Sequence, residues 1–583
     1  MSKKEDNLEY IRHSLAHLLA FAVLKKFPDT QLGIGPIIEN GFYYDFLLTE
    51  KLEPTHLREF ENEMRSIIKK GLIIEGHEIT PKEAKNLFKN QPFKLELIKE
   101  LEENKETLTV YNTGDEFTDL CKGGHVENTK DIDPDAFTLT TIAGAYWKGS
   151  EKNPQLQRIY GLAFKTKKDL EYHIALAEEA KKRDHRKLGK ELELFVSSDD
   201  IGPGLPLFYP KGAILRRIVE QFVIELQEKH KYEPIWIPHI TKGDLYKTSG
   251  HLEKYDALFP PMKLKDEADY YIKPMNCPHF MTLYKSTPHS YRELPIRWTA
   301  ITTNYRYEKS GELSGLTRVR ALTQDDCHVF ATKDQIRDEI NLMLTMINEV
   351  YRAFGLNDFR VRISIRDQKD KEKYIGDEEV WNESEKTLEN LIKERDWNYE
   401  IGEGEAAFYG PKLDFIFKDV LGRDWQLSTI QLDMNLPKRF DLEYIDSSSK
   451  KQHPIVIHRA ILGSTERFLG ILIEHFGGAF PLWLAPIQVS VLPVSDTYLP
   501  YAEKAKTLLI EKNIRVKIDS SETLGKRIRN SELKKIPYIL VVGEKEEKNG
   551  TVNSRHYKRG QEGEIAFDTL SATLEREISA KTI

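Results

Sequence analysis

Residues 305–330, YRYEKSGELSGLTRVRALTQDDCHVF, gather chemically capable side chains at strand spacing. Side chains alternate faces along a strand, so Arg318, Arg320, Leu322, Gln324, Asp326 and His328 fall on one side. Val319, Ala321, Thr323, Asp325, Cys327 and Val329 fall on the other. One face thus presents two guanidinium groups, an amide, a carboxylate and an imidazole, a set suited to gripping a polar ligand. Burying them unpaired would be costly, and a solvated strand face is the alternative. Cys277 in IKPMNCPHF and His458 in IVIHRA are, with His328, ligands of the zinc type. Three such ligands leave one coordination position open, as in catalytic sites. Spacing does not itself group them, and a lone Cys277 is more often a small buried hydrophobe.

Two further sets stand apart. His13 and His17, four apart, share one face of a predicted helix, and Cys121 and His125 lie in the glycine-containing DLCKGGH. These four are metal-type ligands or, equally, surface and core histidines. In IHRAILGSTERFLGIL, Arg467 sits at the start of an amphipathic helix, after Gly463-Ser464. With Arg306 and Arg318 it could clamp a polyphosphate, because guanidinium forks match phosphate oxygens bidentately. There is no GxxxxGK[ST] segment, so a P-loop is excluded as the nucleotide site.

The elements that must position these groups run over 583 residues, too many for one core. Residues 1–165 pair a strong helix, with Ile11, Leu15, Leu18 and Ala22 at helical spacing, with strand-like GIGPIIENGFYYDF and TLTTIAGAYWKGSEKNPQLQRIYG. Residues 166–194, dense in Lys, Glu and Ala, read as a solvated linker helix. Residues 195–485 form a longer segment, with a helix over 211–229 and a strand IWIPHI containing Pro238. Residues 486–583 alternate strand and helix in a βαβαβ rhythm. No stretch approaches the roughly 20 apolar residues of a membrane span, and MSKKEDNLEYIRH lacks a secretory apolar region. Three scattered cysteines argue against a disulfide framework and for a reducing cytoplasm. With a net charge of −7, any nucleic acid must be held by local basic patches.

Taken together, these segments resemble the threonyl-tRNA synthetases, class II aminoacyl-tRNA synthetases of the bacterial type, over nearly the whole chain. IWIPHI is similar to motif 1, which builds the dimer interface in that class. TNYRYEKSGELSGLTRVRALTQDDCHVF is similar to motif 2 and HRAILGSTERFLGIL to motif 3. KPMNCP, AAFYGPKLDF and WQLSTIQLD are similar to the family's active-site segments. The resemblance implies a multidomain α/β and α+β protein. Its parts would be an N-terminal α+β editing domain, a class II antiparallel-sheet catalytic core and a C-terminal α/β anticodon-binding domain.

The resemblance also implies roles. Cys277, His328 and His458 would hold one zinc per subunit, completed by the amino group and hydroxyl of L-threonine. Asp326 would accept the hydroxyl, with Gln324, Tyr409, Gln431 and Lys412 completing the pocket. Arg306 would hold the α-phosphate of ATP, Glu308 the adenine, and Arg318 and Arg467 the distal phosphates with Mg²⁺, with Gln426 also at the nucleotide. His251 would accept a proton during transfer to tRNA(Thr). Gln426 and Gln431 are an odd number of residues apart, so both reach one pocket only across a bulge.

Valine cannot supply the hydroxyl, but serine lacks only a methyl, worth about 1–3 kcal/mol. HSLAH and DLCKGGH are similar to the family's editing domain, so the resemblance implies that His13, His17, Cys121, His125 and Asp119, with Tyr43 or Tyr44, line a site that hydrolyses seryl-tRNA; a metal-free site is favoured there. Glu546 and Arg555 would read anticodon bases. Departures from the family pattern are the start at the editing domain without a ubiquitin-like domain, Gly124 in place of a proline, and Ser521 in place of an asparagine. A cytoplasmic homodimer is expected, and mRNA binding is left open. A non-catalytic tRNA- or mRNA-binding regulator is the alternative, disfavoured because the ATP- and zinc-site positions are all present. A class II enzyme for serine or proline is a third.

Overall fold

A computed structural model describes residues 3–265 and 267–583, with side chains from residue 7 onward. The chain divides into two compact units, Met1–Glu178 and Glu179–Ile583. In the first, Ile11, Leu15, Leu18 and Ala22 are buried along one side of the helix Lys3–Lys26, as the three- and four-residue spacing requires. The helix packs on the strand Gly41–Leu47 and the helix Pro54–Lys70. The glycine- and aromatic-rich segments form an antiparallel sheet in the order Gln31–Leu32, Gly41–Leu47, Gln155–Ala163, Phe137–Tyr146, with Ile37–Ile38 also paired to Gly41–Leu47. A separate sheet orders Ile74–Glu78, Thr109–Thr113 and Phe117–Leu120.

The segment read as one linker helix is two, Lys167–Arg183 and His185–Glu191. Asp184 breaks them apart and caps the second, its side chain accepting from the Arg186 N–H at 2.8 Å, the preference expected of an N-cap aspartate. The division between the compact units falls inside the first helix.

The second unit is built on an eight-stranded sheet in the order Glu233–Pro234, Ile296–Tyr305, Ala321–Ala331, Ile455–Ala460, Asp424–Asp433, Lys412–Lys418, Phe359–Ile365, Tyr399–Glu403. All its pairs are antiparallel except the two outermost, which are parallel. On one face, Cys327, Val329, Ile430 and Ile457 join the helices Pro210–Lys229, Ile336–Ala353 and Thr465–His475 in the main core. The opposite face carries the polar row. IWIPHI does not form the expected strand: Glu233–Pro234 pairs just before it, Ile235 N–H donates to the Thr299 carbonyl, and only its last residue enters a strand, Ile240–Lys242, paired with Tyr270–Ile272. Pro234 and Pro238 lack the N–H a ladder needs.

Residues beyond Val489 form a sheet in the order Val516–Ile518, Val489–Pro493, Tyr538–Val542, Thr551–His556, Gly560–Ala566, parallel in its first three strands and antiparallel in its last three. Among the described residues, no helix is long and apolar enough to cross a membrane.

Candidate active sites

In the second unit, sheet register decides which groups meet. Trp298, His328, His458, Gln431 and Lys412 are successive partners across five neighbouring strands, forming one transverse row. Over this row lies the helix Cys277–Lys285, whose Phe280 ring stacks on His328 at 4.0 Å. Cys277, the helix's first residue, thereby comes beside the two histidines. One ligand atom from each of Cys277, His328 and His458 lies within 4.8 Å of the others.

Nδ1 of His458 faces Nε2 of His328 at 2.9 Å, and His458 Nε2 lies 3.0 Å from the Asp433 carboxylate. Asp433 thus orients His458 with Nε2–H outward and the Nδ1 lone pair inward, the outer-shell arrangement common behind a metal-bound histidine. Burial pushes the Cys277 thiol well up and holds His328 well below the usual histidine range. A buried thiol and two converging imidazoles backed by a carboxylate suit a zinc ion.

A cavity of about 290 Å³ adjoins this cluster. Arg306, Glu308, Arg318, Gln324, Asp326, Tyr409, Gln426, Gln431, Cys277, His458 and Arg467 all line it. The paired strands slip register between Asp414 and Ile416, opposite Thr429 and Gln426. This is the bulge that Gln426 and Gln431 need to share a face. Asp326 accepts from Asn276 Nδ2 at 2.8 Å, and the Gln324 amide lies between Asn304 and the Gly463 carbonyl. Tyr409 donates its hydroxyl to Gln431.

Arg306, Arg318 and Arg467 bring guanidiniums to the lining. Arg306 Nε is buried with no protein partner. Arg467 donates to the backbone carbonyls of Thr317 at 2.9 Å and Gln426 at 3.3 Å. Burial first, then the Arg306 and Arg318 charges, pull Arg467 below the usual arginine range. Like charges gathered in this way favour a polyanionic ligand.

Some residues lie elsewhere than the strand pattern suggested. The strand begins only at Ala321, so Arg318 and Arg320 precede it; Arg320 donates to the Glu308 carbonyl and does not line the cavity. Glu308 and Glu312 hold Arg318 in ion pairs of 2.8 and 3.0 Å. Lys412 stays in the row but pairs with Asp414 at 2.6 Å and is not a lining residue. His251 is fully buried and does not line the cavity; its Nδ1 lies 2.7 Å from Ser249 Oγ, its Nε2 is unpartnered, and burial lowers it to about 4. Asn276 and Asp433 escaped the sequence reading, although they sit in KPMNCP and WQLSTIQLD; a buried polar residue next to a ligand candidate was the available signal.

In the first unit, His13, His17, Cys121 and His125 converge, with ligand atoms within 4.8 Å. Cys121 Sγ lies 3.4 Å from His13 Nε2 and 3.3 Å from His125 Nε2, and Ser14 Oγ lies 3.1 Å from His125 Nδ1. Burial lowers all three histidines and raises the Cys121 thiol to about 11. Behind them Asp119 accepts from the Tyr44 hydroxyl at 2.5 Å and pairs with Lys94 at 2.5 Å, while Lys94 also reaches Tyr44 at 3.0 Å.

Lys94, almost wholly buried, was missed because nothing in QPFKLELIKE separates it from a solvated helical lysine. Tyr43 instead lies under the Arg158 guanidinium at 3.7 Å. Gly124 has φ +89°, in the left-handed region. A proline, fixed near −65°, could not take this conformation. In the C-terminal part, Glu546 accepts from Gly543 N–H at 2.9 Å, Arg555 pairs with Glu532 at 2.7 Å, and Ser521 Oγ donates to Asp519 at 2.8 Å.

Known proteins match along the whole chain. Residues 262–476 match the tRNA synthetase class II core domain (G, H, P, S and T), 488–577 the anticodon binding domain, and 108–160 the threonyl and alanyl tRNA synthetase second additional domain. A threonine–tRNA ligase of Thermosynechococcus vestitus is 48% identical, over 99% of this chain and 96% of its own length. One of Rubrobacter xylanophilus is also 48% identical, over 95% and 86%. Among solved structures, the RNA binding domain of threonyl-tRNA synthetase from Cryptosporidium parvum aligns with TM-score 0.64 at 36% identity, over 68% of this chain and 98% of that one. The chain belongs to the threonine–tRNA ligase family of class II aminoacyl-tRNA synthetases.

Proposed function

We propose that the cavity of the second unit activates L-threonine with ATP and passes it to tRNA(Thr), and that the first unit hydrolyses seryl-tRNA(Thr). The observation that carries the synthetic reading is one cavity lined both by the guanidiniums of Arg306, Arg318 and Arg467 and by Cys277, His458, Asp326 and Tyr409. Arg306, free of protein partners on its buried Nε, binds the α-phosphate, where charge develops as the threonine carboxylate attacks in line. Arg467, anchored through Nε, neutralises the distal phosphates of the magnesium complex. Arg318 exchanges Glu308 and Glu312 for phosphate, which releases Glu308 toward the adenine; Gln426 completes the nucleotide contacts.

Cys277, His328 and His458 hold one zinc. When bound, it supplies a Lewis-acidic centre that accepts amine and hydroxyl ligands. Asp326 receives the threonine hydroxyl's hydrogen bond, while Gln324, Tyr409 and Gln431 orient the amino acid; Lys412 acts through Asp414 behind them. His251, neutral above about pH 4, keeps an unpartnered Nε2 for the proton released during transfer.

His13, His17, Cys121, His125 and Asp119 line the editing site. We assign no metal to this site; the ion pair of Lys94 and Asp119 lies behind the histidines. The domains divide as editing 1–165, linker 166–194, catalytic 195–485 and anticodon-binding 486–583, with Glu546 and Arg555 at anticodon bases. Exposed Trp236 and Ile240, on the segment similar to motif 1, supply apolar surface for a homodimer. The protein works in the cytoplasm.

ATP–pyrophosphate exchange with threonine, serine and valine tests the reading. Threonine supports exchange, serine supports it roughly 10–200-fold less well, and valine is rejected far more strongly because it leaves polar groups unpaired. Absence of threonine-dependent exchange would sink the synthetic assignment; strong exchange with valine would sink the hydroxyl-recognition argument.

A further inference from the structure

Asp184, His185 and Glu474 form a third cluster of metal-type side chains, but its hydrogen bonds point to another use. His185 is buried, with Nδ1 2.6 Å from Glu474 Oε1, and its Nε2 accepts from the backbone N–H of Leu316 at 3.0 Å. A nitrogen that accepts a backbone N–H carries no proton, so the tautomer follows from the contacts: Nδ1–H donates to the carboxylate. Both ring nitrogens are engaged, and no lone pair remains for a cation. Asp184 caps its own helix and pairs with Arg186. Glu474 is fixed further by Arg423 and by the His185 N–H.

Leu316 belongs to the turn Ser314–Arg318 between the two long strands of the site. Ser314 and Arg318 exchange backbone bonds of 3.1 and 3.2 Å, and the Thr317 carbonyl accepts from Arg467 Nε at 2.9 Å. The turn therefore sets the backbone of one lining arginine and anchors the side chain of another. One glycine makes room for the imidazole that holds it and another for the turn itself. A Cβ on Gly315, which has φ +48°, would run into His185 Nε2, and one on Gly470 would press on Thr317 and Leu316. The cluster thus joins three segments distant in sequence: the start of the helix His185–Glu191, the turn, and the last turn of the helix Thr465–His475.

We infer that His185 is a positioning residue for ATP: held by Glu474, it fixes the turn Ser314–Arg318 and, through it, Arg318 and Arg467. The inference rests on the reading of these arginines as phosphate ligands. It separates the two substrates. Gln324, Asp326 and His458 stand on strands whose positions the ladder sets, whereas Arg318 and Arg467 depend on the turn.

The test is ATP–pyrophosphate exchange by the full-length protein, with KM measured separately for ATP and threonine. His185→Phe, which keeps a ring and removes both hydrogen bonds, raises KM for ATP by roughly 5–30-fold, the effect of losing the one buried bond that reaches the turn, to the Leu316 N–H, and leaves KM for threonine within about twofold, because no threonine contact runs through the turn. His185→Gln, whose amide oxygen can reach the Leu316 N–H, restores most of the loss; His185→Asn, too short to reach it, does not. The Gln and Asn pair carries the comparison alone if the Phe variant fails to fold. Parallel rises in both KM values, equal behaviour of Gln and Asn, or an unchanged KM for ATP would overturn the inference. Arg467→Ala, run beside them, separates the levels. If it too leaves KM for ATP unchanged, the phosphate-site reading fails; if it alone raises KM, only the role of His185 fails.

Discussion

Replacing Lys94 by Met removes one partner of a buried ion pair whose side chains are each 2% exposed. At 2.5 Å and an effective dielectric of about 20, the attraction amounts to roughly 7 kcal/mol. Desolvation of the two ions, several kcal/mol each, offsets it. The pair itself therefore adds little net stability, whereas breaking it leaves the Asp119 charge buried beside the Tyr44 hydroxyl, the Leu120 N–H and, at 3.8 Å, His17 Nε2, with no cation bonded to it. The expected cost of Lys94→Met is about 3–5 kcal/mol. In Lys94→Met/Asp119→Leu the charges leave together and the Tyr44 hydroxyl loses its acceptor, worth about 1–3 kcal/mol; adding Tyr44→Phe recovers part of that.

The assay is amide hydrogen exchange in the helix Lys3–Lys26 and the strand Gly41–Leu47 of the full chain, because a chain of several domains has no single unfolding free energy. The double variant should be more protected than Lys94→Met yet still unable to hydrolyse seryl-tRNA. A loss below about 1 kcal/mol for Lys94→Met, or single effects that simply add, would refute the reasoning.

Cys277→Ser should lose stoichiometric zinc in metal analysis of the purified protein, with threonine-dependent exchange falling alongside; full zinc retention would remove Cys277 from the ligand set. His13→Ala should leave charging with threonine intact and let seryl-tRNA accumulate; deacylation at the normal rate would exclude His13 from editing. His556 accepts the backbone N–H groups of Lys558 and Arg559 on Nδ1, and partial burial, with Arg559 next, lowers it to about 4. Between that value and an unfolded value near 6.5, the unfolded state binds the extra proton, so stability falls as pH drops through this window. Exchange of the hairpin Thr551–Ala566, corrected for intrinsic rates, should quicken from pH 6.5 to 4; His556→Asn should flatten the dependence, and an unaltered profile would assign it elsewhere.

Much of this protein was legible locally, because periods of 2.0 and 3.6 follow from backbone geometry alone. Alternation along 321–331 was enough to separate Gln324, Asp326 and His328 from Cys327 and Val329, and the helical spacing of Ile11, Leu15, Leu18 and Ala22 identified a buried face. Pro238 inside IWIPHI and Pro234 just before it are equally visible, and each lacks the N–H a ladder needs. Tertiary structure alone decided the partnerships. His328 and His458 meet because two strands pair in one register, and Cys277 joins them because a helix begins above that row. Glu308 holds Arg318 because a loop folds back. Lys94, Asn276, Asp433 and His185 look ordinary in their own segments; each acquires its role by being buried beside a group distant in sequence. Burial makes an unpaired charge or polar atom costly, so packing selects such partners, and no local period encodes that choice.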